Sequence, residues 1–153
     1  MACINEWDWD ESGTDVNEFI EIFISDPQPA DLSQYCIEEY ENATTLNTTS
    51  GGNSCLNGPG WTTTTVAGGV LYTLFESFEN GDAVALCGPL GLIQFFGTDE
   101  SFTASTGCAN GAATTDVALC SADYLAGGSL QKVPGTNDYY ICLLYTSPSA
   151  RDS

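Results

Sequence analysis

The residues best equipped for chemistry crowd the start of the chain. Glu6, Asp8, Asp10, Glu11, Asp15, Glu18 and Glu21 fall within 16 residues. Asp8-x-Asp10-x-Ser12-Gly13 matches the first half of a calcium loop, where hard oxygen ligands alternate and a glycine permits the sharp turn. The second half departs from that pattern. Phe19 stands at the twelfth position, where a bidentate Glu is needed, and Glu18 is one place early. Two carboxylates about 7 Å apart repel by roughly 2 kcal/mol at an effective dielectric of 20, and a divalent ion relieves that repulsion. The expectation is Ca²⁺ held by Asp8, Asp10 and Asp15, with Glu18 assisting. A charge run ordinarily just solvates a face, so the plain alternative is an acidic hairpin in water.

Other constellations are weaker. Glu21 lies between Phe19 and Phe23 on one face of a strand, where a buried carboxylate needs hydrogen-bond partners or a raised pKa. Paired with Glu6 it could imitate a glycosidase acid/base pair. No pocket of polar helpers is visible beside it, so a structural carboxylate is the reading kept. Trp7, Trp9 and Trp61 could form a sugar-stacking platform, but core packing is the commoner use of such aromatics. Serine, threonine and cysteine nucleophiles lack a base, because the chain has no histidine. Gly88-Pro89-Leu90-Gly91 is a turn, since no lysine follows it as a phosphate loop requires. No catalytic residue is expected, and no cofactor besides Ca²⁺.

Composition narrows the partners. The 153 residues suit one domain, and 42% hydrophobic content is enough for one packed core. Two basic residues, Lys132 and Arg151, face 21 acidic ones, for a net charge of -19. Phosphate binding needs clustered Lys and Arg, so nucleic acid is excluded. An anionic membrane surface would repel the chain, and its apolar runs are too short for a spanning helix. An extracellular protein or glycan is the partner class that remains.

Seven cysteines, Cys3, Cys36, Cys55, Cys87, Cys108, Cys120 and Cys142, are spread without a C-x-x-C pair. Zinc ribbons and thioredoxin-like motifs therefore fit poorly. Scattered cysteines with almost no lysine favour a secreted or cell-surface chain with disulfides. Connectivity stays open, although Cys108 and Cys120 could staple a Gly/Ala/Thr-rich excursion over Phe102–Ala122, and Cys3 is the candidate odd thiol. The sequons Asn42-Ala43-Thr44 and Asn47-Thr48-Thr49 suit the same compartment and a glycoprotein. No signal peptide leads the sequence, so a secreted protein would have a different N-terminus. Leu143–Ser153 resembles a translated sequencing-adapter tail and is set apart as non-native or disordered.

Short apolar runs punctuated by Gly, Thr, Ser and Asn predict an all-β architecture. Strands are expected at Cys3–Trp9, Glu18–Ile24, Tyr35–Glu41, Thr62–Val66, Val70–Phe75, Ala83–Cys87, Leu92–Phe96, Ser129–Val133 and Tyr139–Cys142. Val70–Phe75 could instead form a helical turn. Alternation in the first strand puts Ile4, Glu6 and Asp8 on one face and Asn5, Trp7 and Trp9 on the other. Asn42–Gly60 reads as one long polar loop.

A family likeness emerges from these fragments in order. Ile4-Asn5-Glu6, Asp10, Gly13-Thr14-Asp15 and Glu18-Phe19-Ile20-Glu21-Ile22 resemble the opening of lamin tail domains of the secreted microbial kind. Asp31-Leu32-Ser33-Gln34-Tyr35 is similar to that family's D-L-S-G-[WY] turn, with Gln34 where Gly is usual. Gly81-Asp82-Ala83-Val84-Ala85-Leu86 resembles its D-G-I-A-L strand. Ile93-Gln94-Phe95-Phe96 with Ser101-Phe102-Thr103-Ala104, then Thr114-Thr115-Asp116-Val117 and Gly128-Ser129-Leu130-Gln131, continue the likeness. It covers Ile4 to Tyr140; the cysteines are no part of it. The resemblance implies an immunoglobulin-like antiparallel β-sandwich over residues 3–142 with no catalytic residues. Two function classes follow. One is an extracellular binding or adhesion module, calcium-assisted. The other is an accessory domain of a larger secreted metal-dependent nuclease or phosphoesterase.

Overall fold

The computed structural model describes residues 1–8, 18–46, 53–76, 83–97, 101–116, 128–132 and 139–143. These residues form twelve strands and one short 3₁₀ turn, with no α-helix among them. The strands are β1 (Ala2–Asp8), β2 (Phe19–Ser25), β3 (Cys36–Asn42), β4 (Thr45–Leu46), β5 (Asn53–Cys55) and β6 (Trp61–Val66). They continue as β7 (Gly69–Phe75), β8 (Ala83–Gly88), β9 (Gly91–Gly97), β10 (Thr115–Asp116), β11 (Gly128–Lys132) and β12 (Tyr139–Leu143). The sequence placed the longer strands within about two residues. β12 runs one residue past the expected domain end at 142, and 144–153 lie outside the described residues.

Two sheets result. The first has the order β12-β11-β1-β2-β7-β6. The second has the order β10-β9-β8-β3-β4, with β5 also paired to β3. Pairing is antiparallel except between β10 and β9. Val70–Phe75 is strand throughout, in a two-residue hairpin with β6. Its β-branched and aromatic residues suit the pleated surface better than a helical turn. The polar stretch 42–60 is not all loop, because β4 and β5 both pair with β3 from within it.

The inner faces meet in one apolar core. Ile4, Trp7, Ile20, Ile22, Tyr72 and Leu74 from the first sheet pack with Ile37, Val84, Leu86 and Phe96 from the second. Strict alternation in β1 would have sent Ile4 and Trp7 to opposite faces. A register shift between Ile4 and Glu6 corrects that expectation. The bulge adds one residue, so both large side chains point inward while Glu6 and Asp8 turn outward together. Beside the bulge, the Ile4 N–H donates across the core to Gln94 Oε1 on β9 at 2.6 Å. A polar side chain thus links the two layers where β1 departs from regular pairing.

A second, smaller core covers the outward face of the β10–β4 sheet. Tyr40, Ala83, Ala85, Cys87 and Phe95 lie beneath Ala104 and Ala109 from the segment 101–116. That segment folds into turns of its own, closed by Thr103 bridging Ala113.

Candidate functional site

Strand register organises the outward face of the first sheet into rows. Gln131 pairs with Glu6, Glu6 with Glu21, Glu21 with Thr73 and Thr73 with Thr62. This polar row crosses five strands. An apolar pair, Phe23 and Leu71, stands beside Cys3 on one side of it. Asp8, Phe19 and Phe75 stand on the other. Glu6, Glu21, Thr73 and Gln131 are all buried.

Glu21, only 1% exposed, accepts hydrogen bonds from Asn5 Nδ2 at 2.8 Å and Thr73 Oγ1 at 3.1 Å. The structural reading of Glu21 therefore fits, with side chains rather than backbone N–H groups as donors. Both donors come from neighbouring strands of the same sheet, one of them the bulge residue. Glu6 sits directly opposite Glu21, so two carboxylates share the row.

The residues expected to hold calcium divide into two groups. Asp8 ends β1, is fully buried and pairs with Phe19. Glu18, also buried, is the residue just before Phe19. Its carbonyl accepts from the Glu76 N–H, which fastens the end of β2 to the end of β7. Asp8 and Glu18 thus belong to one end of the first sheet, where the chain leaves β1 and enters β2. Asp10 and Asp15 fall in 9–17 and lie outside the described residues, as do Trp9, Asn47 and Cys120. Among the described residues, the group of three side chains able to converge on a metal ion is Glu38, Cys87 and Cys108. Cys87 and Cys108 are bonded to each other, so their sulfurs serve as a staple rather than as thiolate ligands.

That group marks a second constellation, which the sequence reading missed. Glu38 accepts from the Cys108 N–H at 2.9 Å. The Tyr40 hydroxyl lies 2.9 Å from Glu38 Oε2 and 2.9 Å from the Thr106 carbonyl, and accepts from the Ala109 N–H. Burial, with the Glu38 carboxylate beside it, raises the Tyr40 phenol to about 12. Gly107 closes the turn at a φ of 69°, and a Cβ there would collide with Glu38 Oε2 and the Tyr40 hydroxyl. The aromatic rings add to the seal, with Tyr40 to Phe95 at 5.1 Å and Phe95 to Phe102 at 5.8 Å edge-on. The signal for this site was Glu38-Glu39 in mid-strand between Ile37 and Tyr40. Two buried carboxylates there demand partners from outside the strand.

Disulfides join Cys36 to Cys55 and Cys87 to Cys108. The second corrects the expected Cys108–Cys120 staple: Cys108 ties the 101–116 segment down onto β8 instead of closing that segment on itself. Cys3 is a free, buried thiol whose pKa is raised by burial, against a smaller lowering by Lys132.

Trp7 is in the core and Trp61 packs at its edge, which supports packing over a sugar platform. The tip Gly88-Pro89-Leu90-Gly91 is a turn, as expected, with Leu90 fully exposed. Leu90 borders an apolar groove of about 280 Å³ with Met1, Tyr35 and Ile93. No described helix is long and apolar enough to cross a membrane. No protein family, characterised protein or solved structure matches this chain.

Proposed function

We propose that this chain is a non-catalytic extracellular binding or adhesion module of the lamin-tail type, an immunoglobulin-like β-sandwich that uses Ca²⁺ at the β1–β2 end. The observation that carries the reading is the register of Asp8 against Phe19, which brings Asp8 and Glu18 to the same end of the first sheet. The segment joining those two strand ends carries Asp10 and Asp15. Hard oxygen donors from two strand ends and their connection suit a calcium ion better than a softer metal. Two disulfides fit an oxidising compartment. With a net charge of -19, a bound divalent ion also lets the acidic end approach an extracellular protein or glycan without like-charge repulsion.

Calorimetric titration of the whole chain with Ca²⁺, beside melting curves with and without chelator, tests this. Heat of binding and a higher melting temperature with Ca²⁺, both lost in Asp8→Asn, are expected. No heat and no shift in the parent chain would end the calcium reading.

A further inference from the structure

Three half-cystines stand abreast on the second sheet, and a fourth, Cys108, is bonded to the last of them. Cys55 pairs with Cys36 across β5 and β3, and Cys36 pairs with Cys87 across β3 and β8. Directly paired residues project to one face, and in a regular antiparallel ladder the Cα atoms of a pair such as Cys36 and Cys87 lie about 4.5–5.5 Å apart. That spacing is inside the range a disulfide spans. Cys36 therefore has a bonded partner on one side and a second possible partner on the other. The second partner, Cys87, holds Cys108 and through it the 101–116 segment. Cys55 sits on β5, which lies off the main strand path, and both Cys55 and Cys36 are only half-buried. An external thiol can therefore reach this bond, and attack at Cys55 is the direction that leaves the thiolate on Cys36, across from Cys87.

We propose that Cys36–Cys55 is a thiol-exchange site for a small external thiol, and that exchange there passes along the row to release Cys108. In the first step the external thiolate attacks Cys55 Sγ. A mixed disulfide forms at Cys55, and Cys36 leaves as a thiolate. In the second step Cys36 attacks Cys87 Sγ. The Cys36–Cys87 bond forms, the Cys87–Cys108 bond breaks, and Cys108 leaves as a thiolate that takes a proton from water. Two protein disulfides and one thiolate become one protein disulfide, one mixed disulfide and one thiolate, so no further oxidant or reductant is needed. The new bond joins two strands already held in register by the sheet. The bond lost joined a strand to an irregular segment, whose chain freedom rises on release. Cys3 takes no part. It lies on β1, in the other sheet, and burial keeps it as the thiol. The inference is independent of the calcium reading, which concerns the other sheet.

The test treats the oxidised full chain with reduced glutathione, quenches in acid and alkylates free thiols. A Glu/Asp-specific protease then separates the four cysteines, since Glu38, Glu76, Glu100 and Asp116 lie around them. The expected first product has glutathione on Cys55, a Cys36–Cys87 linked peptide and alkylated Cys108. Cys55→Ser is expected to show the same Cys36–Cys87 link without added thiol. In Cys36→Ser/Cys55→Ser, Cys87–Cys108 is expected to persist under the glutathione that opens it in the parent. Alkylated Cys36 beside an intact Cys87–Cys108 would overturn the proposal. So would equal loss of Cys87–Cys108 in the double variant, or an oxidised parent lacking either starting pair.

Discussion

The first sheet's outward face buries charge within a row of its own side chains, whereas the second sheet's buries charge under an added segment. On the first, Glu6 and Glu21 share a polar row with Thr73 and Gln131, and the donors to Glu21 come from adjacent strands. On the second, Glu38 accepts from the Tyr40 hydroxyl on its own strand and from the Cys108 N–H, and Tyr40 accepts from the Ala109 N–H. Both N–H donors belong to the 101–116 segment. A strand pair can satisfy a carboxylate only if its neighbours carry donors at the same register. Glu38 pairs on its β8 side with Ala85, which has none to offer, and on its other side with Asn53 of the short strand β5. Small Ala83 and Ala85 instead leave room for backbone N–H groups to descend on the sheet. The price of that solution is dependence on the staple. Damage to the segment should leave the first sheet's polar row standing, and damage to the row should leave the segment in place.

The largest expected effect tests that separation. Replacing Cys87 and Cys108 by Ala removes a link spanning 21 residues. Chain-entropy reasoning puts the loss at about 3 kcal/mol by chemical denaturation. Amides of Ala104 and Ala112 should lose hydrogen-exchange protection, while those of β1 and β2 keep theirs. Equal loss on both sheets would show that the two faces form one cooperative unit. Gly107→Ala attacks the same segment without touching a covalent bond. The left-handed backbone and the collision with Glu38 and Tyr40 should cost roughly 2–3 kcal/mol. It should loosen the same amides with both disulfides intact.

Glu21→Ala probes the other face, and two opposed effects decide its sign. Orphaning the half-buried donor of Asn5 and the buried one of Thr73 costs about 1–3 kcal/mol. Relief of like charge opposite Glu6 returns about 0.2–1 kcal/mol. The net expectation is a loss of about 1–2 kcal/mol. Glu21→Gln keeps an acceptor for Asn5, can donate to the Thr73 hydroxyl and removes the repulsion, so its stability should stay near that of the parent. A Gln variant as damaged as the Ala variant would mean that the charge itself is required in the row.

What the sequence made legible follows the same division. The alternation of β2, with Ile20, Ile22 and Ile24 inward and Phe19, Glu21 and Phe23 outward, needs only a period of two. It holds because β2 is regular along its length. In β1 the same rule failed at Asn5, because a bulge is fixed by the register with β2 and not by any local propensity. Glu38 and Cys108 were harder. They meet across 70 positions, through a turn that depends on Gly107, and nothing within either segment names the other. Cysteine pairing failed for a related reason. Cys108 and Cys120 are near in sequence, but the fold brings Cys108 to Cys87 across the sheet instead. Of the expected calcium ligands, Asp8 and Glu18 sit at one strand-pair end because the acidic run straddles the β1–β2 connection, and that much was visible in the spacing.

The smallest expected effect distinguishes the hydroxyl of Tyr40 from its ring. Tyr40→Phe keeps the contacts with Phe95 and Phe102 but leaves the Ala109 N–H and the Thr106 carbonyl without that partner. Glu38 retains the Cys108 N–H, so the loss at neutral pH should be about 1 kcal/mol. The pH dependence sharpens this. Burial raises the Tyr40 phenol from its ordinary 10 to about 12. Between those values the unfolded chain sheds the proton and the folded one holds it, so unfolding gains with rising pH. The parent keeps this contribution fully below pH 10 and loses it as pH climbs through 12. The phenylalanine variant lacks the group, so the stability gap between the two should narrow across that window, measured by rapid denaturant unfolding. Tyr72, whose phenol burial also raises, titrates in both proteins and cancels in the difference. A constant gap would place the Tyr40 hydroxyl in water and remove it from the contacts that hold the 101–116 segment against the second sheet.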